Sequence, residues 1–190
     1  MQNYEIAVIG GGLAGSIAAL AMARGGRKVL LVAPGPANGD ERTTALMDQS
    51  IRFMERLGLW DTIAPSAAPL SVMQIIDGTD RLLRAPTAQF RAADVGLYAF
   101  GYNIPNRALH ETLQAAVANE ANVTRVATPL ATIVLSNDQA LLELEDGQTV
   151  SASFVIGADG RGSKVRESAG IGTRRWAYPQ TAVVLNFEHS

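Results

Sequence analysis

The chain has 190 residues, of which 47% are hydrophobic and 18% charged, and a formal net charge of −2. A chain of this length buries roughly 70% of its unfolded surface, so it needs no staples, and the near-neutral charge without a basic run excludes an electrostatic footprint for nucleic acid. Cysteine is absent and only His110 and His189 are present, which excludes disulfides and thiolate chemistry and gives no basis for a metal centre.

The opening apolar run, residues 6–23, has no charge and a small-x-small end at Ala21-Met22-Ala23. A secretory leader is nevertheless not expected, because Met1 to Glu5 carries an acid and no basic side chain. Three consecutive glycines, Gly10 to Gly12, also break the helix that a leader or a membrane span requires. The absence of cysteine fits a reducing cytoplasm.

In chain order, residues 5–9 read as a buried parallel strand ending at the glycines. Leu13 to Arg24 then repeats Leu13, Ile17, Leu20 and Ala21 at helical spacing, Gly25-Gly26 stops it, and residues 29–32 form a second buried strand. Strand, glycine turn, helix and strand within so short a span make a βαβ unit. Residues 34–40 are a loop, and from Thr44 onward Leu46, Ser50, Phe53, Met54 and Leu57 predict one helical face closed by Gly58. Between residues 61 and 105 short runs such as SVMQIID and GLYAFGYNI predict antiparallel strands. Helical spacing returns over residues 106–119 with Leu109, Leu113, Ala116 and Val117 on one side. Residues 131–157 predict a three-stranded meander turning at Asn137-Asp138 and Asp146-Gly147. A short helix capped by Ser163 follows within residues 161–168, and residues 181–187 predict a last strand.

The turn Gly10-x-Gly12-Leu13-Ala14-Gly15 matches the dinucleotide fingerprint. Its first glycine permits the turn, its second lets backbone approach a pyrophosphate, and its third lets helix and strand pack closely. The helix amides then face the phosphates with about half a positive charge. A Rossmann unit usually ends its second strand in an acid that binds the ribose hydroxyls, whereas this strand ends in Ala33. A second turn, GADGRGSKVR, with Asp159 and Gly160 after an apolar run, reads either as an ordinary Asp-Gly turn or as a second nucleotide contact.

Taken together, GxGxxG followed late by GADGRGSKVR resembles the FAD-dependent aromatic hydroxylases of the para-hydroxybenzoate hydroxylase fold. DERTTALMDQSIRFMERLGLW, residues 40–60, is similar to a block of the ubiquinone-biosynthesis hydroxylases within that fold, and YNIPNRALHETL to the helix that returns from their substrate sheet. The resemblance implies an α/β fold: a Rossmann-like FAD-binding domain with a β-meander, interrupted by part of a β-rich substrate domain. It divides the chain into residues 1–70 and 106–172 for the FAD-binding domain, 71–105 for the insert, and 173–190 for the start of the returning sheet.

By the same resemblance, Gly10, Gly12, Leu13, Ala14 and Gly15 wrap the FAD pyrophosphate, and Arg42 and Arg107 contact the cofactor. Asp159 and Gly160 lie near pyrophosphate and ribose. Arginine suits bidentate phosphate contact and aspartate suits hydroxyls. The implied activity is hydroxylation of an aromatic ring, for the ubiquinone branch a prenylated phenol, with FAD held tightly and NAD(P)H bound transiently. Such a substrate implies association with the inner membrane face or with a biosynthetic complex. No catalytic acid or base stands out. Members of the family are longer and carry a third motif, of the type Gly-Asp-Ala-Ala-His, which nothing here matches. The expectation is therefore the N-terminal portion of such an enzyme. The rival reading is a non-catalytic flavin-fold module that binds a nucleotide or a partner chain. A nicotinamide dehydrogenase is disfavoured by the β-rich insert and the late Asp-Gly turn.

Overall fold

A computed structural model describes residues 2–35, 40–181 and 183. In chain order the elements are β1 (Gln2–Ile9), α1 (Leu13–Arg24), β2 (Val29–Val32), β3 (Thr43–Met47), α2 (Asp48–Arg56), α3 (Trp60–Ile63), β4 (Ala68–Pro69), β5 (Val72–Ile75), β6 (Ala88–Arg91), β7 (Gly101–Pro105), α4 (Asn106–Ala118), β8 (Val123–Val126), β9 (Leu130–Leu135), β10 (Ala140–Leu144), β11 (Thr149–Gly157) and α5 (Lys164–Ser168). They fall into two compact units, residues 1–40 with 109–190, and residues 41–108. The expected insert, 71–105, lies inside the second.

The first unit is built on a six-stranded sheet in the order β8-β2-β1-β11-β10-β9. β1 pairs in parallel with β2 and with β11, and β2 in parallel with β8. β10 runs antiparallel to both β11 and β9, which is the expected meander. The burial patterns follow from this order. All four residues of β2 are buried, as a parallel strand covered on both faces requires, whereas β10 alternates buried and exposed. The sheet carries a core cluster that includes Tyr4, Ile9, Leu30, Val32, Ile133, Leu142, Leu144, Val150 and Val165. Each such side chain contributes about 1.5–3 kcal/mol on leaving water. Helix α1 buries Leu20 together with Gly15, Ser16, Ala19 and Ala23, small residues that let it lie close to the strands. The side chain of Asn122 donates to the carbonyl of Ala23, and Arg24 pairs with Glu120 at 3.2 Å, tying the end of α1 to the approach to β8.

The second unit contains a three-stranded sheet, β3-β7-β4, and the hairpin β5-β6. Its buried side chains include Ile51, Met54, Leu57, Leu59, Ile63 and Ile104, and Trp60 meets Tyr102 edge-on at 5.3 Å between ring centroids. Gly58 follows α2 with φ +60 and its amide donates to Glu55, the helix stop expected there.

Two expectations change. Residues 43–47 form a strand rather than the start of a helix, because Thr43 to Met47 pairs antiparallel with Gly101 to Pro105. The helix begins only at Asp48, so Leu46 belongs to the sheet, Ser50 is exposed, and the buried face is Ile51, Met54 and Leu57. Of GLYAFGYNI, residues 96–104, only the end is a strand, since residues 96–100 form turns and bends after the 3-10 turn of residues 92–95. The expected strand over 181–187 lies largely outside the described residues, and described residues 173–181 form no helix or strand.

Candidate functional site: a glycine turn facing an Asp-Gly turn

The first glycine turn leaves the end of β1 in the middle of the sheet. The amide of Gly10 donates to the carbonyl of Val32 at 2.8 Å, and the amide of Ala158 donates to Ile9 at 2.7 Å. The turn is thus stitched to both neighbouring strands. Gly10 has φ +115, where other residues are strained, and a Cβ there would strike the carbonyl of Ala158. A Cβ on Gly15 would strike the carbonyl of Gly10. Both glycines are therefore required by the fold alone.

Gly12 is different. It caps α1 in ordinary extended geometry, φ −71 and ψ −178, and a Cβ on it would meet nothing within 4 Å. Nothing within the described protein demands a glycine here, whereas an approaching ligand backbone or phosphate would. No side chain caps the helix and no acid stands in its first turn, so its leading amides, beside Gly12 and exposed Ala14, are open to an anion. Leu13 opens the helix.

The pairing of β1 with β11 brings the second turn to the same place. Gly157 is in register with Ile9, and Ala158 and Asp159 lie directly against Gly10. Ser163 caps α5 by accepting the amide of Arg166 at 3.0 Å, and Asp159 Oδ2 accepts the amide of Val165 at 3.3 Å. Burial works against the ionised carboxyl of Asp159, but the Ser163 hydroxyl and nearby backbone amides outweigh it and hold the group below the usual carboxylate range. Its other oxygen, Oδ1, is buried without a hydrogen-bond partner, a state that costs free energy unless a donor is supplied. Gly160, with φ +81, turns the chain away and has open space beside it. An uncapped helix start, an open glycine and an acceptor with a spare oxygen fit a dinucleotide carrying a pyrophosphate and ribose hydroxyls.

Ala33, where the ribose acid was missed, is 3% exposed and sits against the turn. Its Cβ lies 2.5 Å from where a Cβ on Gly11 would be. Gly11, passed over in the sequence as the variable position of the fingerprint, is thus needed because β2 presses a side chain onto it. The run of three glycines was the available signal.

Arg42 and Arg107 belong to the second unit. The amide of Asn106 donates to the carbonyl of Arg42 at 2.9 Å, and Asn106 also receives a hydrogen bond from Thr44, so the chain brings the two arginines to one place, at the start of β3 and of α4.

The profile of a family described as FAD binding domain matches residues 3–189. The chain belongs to the FAD-binding domain family. Within it, the chain is 35% identical over 192 residues to ubiquinone hydroxylase UbiL of Rhodospirillum rubrum, and 32% identical over 196 residues to 3-demethoxyubiquinol 3-hydroxylase of Escherichia coli. These alignments cover 97% and 98% of the chain but 44% and 49% of the relatives. The chain thus spans about half the length of the curated relatives it matches. Among solved structures, p-nitrophenol 4-monooxygenase PnpA of Pseudomonas putida superposes with a TM-score of 0.75 at 21% identity, covering 90% of the chain and 44% of that protein. A mutant of PqsL of P. aeruginosa superposes at 0.78 and 22% identity, covering 94% and 49%. The fold is that of these two proteins. The resemblance to FAD-dependent aromatic hydroxylases of the ubiquinone branch, drawn from four motifs, holds across the FAD-binding domain family match.

Proposed function

We propose that the chain forms the FAD-binding part of an aromatic monooxygenase that hydroxylates a prenylated phenol in ubiquinone biosynthesis. The observation that carries this is the glycine turn: Gly10 and Gly15 are explained by packing, while Gly12 leaves open space beside the uncapped start of α1, where a phosphate fits. The relatives, named as a ubiquinone hydroxylase and a 3-demethoxyubiquinol 3-hydroxylase, supply the substrate class.

In this reading the leading amides of α1 bind the pyrophosphate, and Gly12 leaves the space that its oxygens fill. Asp159 Oδ1 accepts a ribose or ribityl hydroxyl, which satisfies the one buried side-chain oxygen left unpaired among the described residues. Within the second unit Arg42 and Arg107, whose backbones are brought together by the hydrogen bond from the Asn106 amide to the Arg42 carbonyl, offer guanidinium groups suited to phosphate. When bound, FAD supplies oxygen activation and the transfer of one oxygen atom to the ring, with NAD(P)H as reductant. The protein contributes orientation and exclusion of water. Residues 71–105 and those after 172 belong in this reading to the substrate domain, and association with a membrane surface serves delivery of a prenylated substrate. No helix among the described residues is long and apolar enough to cross a membrane.

A second reading is a non-catalytic flavin-fold module that binds the nucleotide without turnover. The test is to purify the chain, add FAD, and record the visible spectrum after desalting, then assay NAD(P)H oxidation with a prenylated phenol. Retained flavin absorbance is expected. Substrate-stimulated oxidation excludes the second reading, and a colourless protein overturns both.

A further inference from the structure

The strand end that usually carries a ribose-binding acid carries none here, and the neighbouring strand supplies a cation instead. The amide of Ala33 donates to the carbonyl of Val126 at 2.9 Å, so the β2–β8 ladder continues to Ala33. In that ladder Leu31 is in parallel register with Arg125, and paired residues of parallel strands point to the same face. Leu31 and Ala33, two apart on one strand, also share a face. That face is the one of the glycine turn, because the Cβ of Ala33 abuts Gly11. The opposite face is fixed independently: Val126, with its register partner Val32, packs into the hydrophobic core.

Arg125 therefore rises on the side of the turn, one strand over and two residues back from Ala33. That places its Cα about 8 Å from that of Ala33, from a rise of ~3.3 Å per residue and a strand spacing of ~4.8 Å. An extended arginine side chain spans this gap. Arg125 is exposed and makes no ion pair or side-chain hydrogen bond among the described residues. No carboxylate occurs in residues 29–33 or 123–126 to offset it. By contrast Arg24 is neutralised by Glu120, and Arg27 by Glu5.

We infer that Arg125 replaces the missing carboxylate as the group that meets the adenosine ribose, so that the site accepts a phosphate on the ribose 2′ position. A carboxylate at that strand end accepts hydrogen bonds from both ribose hydroxyls and repels a 2′-phosphate, whereas a guanidinium donates to hydroxyl and phosphate alike. The ligand class is adenine nucleotides bearing a 2′-phosphate, competing for the adenosine half of the site. The inference rests on the reading of the turn as an adenine-dinucleotide site.

The test titrates the purified chain with 5′-AMP and with adenosine 2′,5′-bisphosphate, following displacement of FAD by its fluorescence. The bisphosphate should bind about fivefold or more tightly than 5′-AMP, as expected of one charge-assisted phosphate contact, with the margin shrinking in high salt. Arg125→Gln should abolish the preference, Arg125→Lys should keep part of it, and Ala33→Glu should reverse it. Native-like circular dichroism of each variant separates binding from folding. If FAD binds but 5′-AMP competes better than the bisphosphate, or the preference survives Arg125→Gln, this inference fails alone. If FAD itself does not bind, the dinucleotide reading fails with it.

Discussion

The backbone carbonyl of Gly10 occupies the space that a side chain on Gly15 would need. The contact joins the strand end to the first turn of α1, and it separates two kinds of glycine within one motif. Gly15→Ala should displace the turn and cost about 1–3 kcal/mol, the usual range for forced overpacking. Gly12→Ala adds a methyl to open space and should stay within about 0.5 kcal/mol of the parent in thermal unfolding. Its effect should appear in FAD retention, which is expected to fall by tenfold or more (about 1.4 kcal/mol) if a phosphate passes that close. Normal FAD binding by folded Gly12→Ala would remove the reason for a ligand at the turn.

Asp159 links stability to pH. Its carboxyl is held below the ordinary carboxylate range in the folded chain, so the stabilisation it gives is complete above that range. It is lost as the pH falls through the lowered value, because the unfolded chain then takes up the proton first. Melting temperatures followed from pH 7 down to pH 3 should show a smaller acid loss in Asp159→Asn than in the parent. Between pH 6 and 8 the two profiles should run parallel.

Ser163 holds the start of α5 through the amide of Arg166, and so holds the turn that carries Asp159. Ser163→Ala should cost about 0.5–2 kcal/mol as the loss of an N-cap. Ser163→Asp should restore most of it, since aspartate caps equally well. A variant pair with equal unfolding midpoints in urea would show that the cap is not what holds this turn.

Within the second unit, Trp60 and Tyr102 meet edge-on between α3 and β7. A double-mutant cycle with leucine at each position should return a coupling of about 0.5–1.5 kcal/mol, typical of such aromatic pairs. Additive single effects would mean that the two rings share only burial.

Much of the first unit was legible because its signals are local. The βαβ opening needs only an apolar run, a glycine turn and a helical repeat. The meander is marked by Asp146-Gly147, where Gly147 indeed takes φ +82. What escaped is set by pairing between distant segments. Residues 43–47 have a pattern too short to distinguish strand from helix, and only β7, more than fifty residues on, decides it. Strand β8, VTRV, was not foreseen; it is an edge strand whose exposed Thr124 and Arg125 hide its strand character until it is laid beside β2. The fingerprint glycines could be read from the sequence, but the contact between Gly10 and Ala158 could not, because it depends on the register of β1 against β11.

That same pairing governs the order in which the molecule can assemble. β1 and α1 emerge first during synthesis, yet β1 must wait for β11, some 150 residues later, before its central position in the sheet is filled. Contacts of such long sequence separation close slowly, since the loop entropy is lost before the contact is gained. A nascent chain halted before β11 therefore carries the complete glycine fingerprint but not the Asp-Gly turn that faces it. Its strand edge stays unpaired until the last strand of the meander docks.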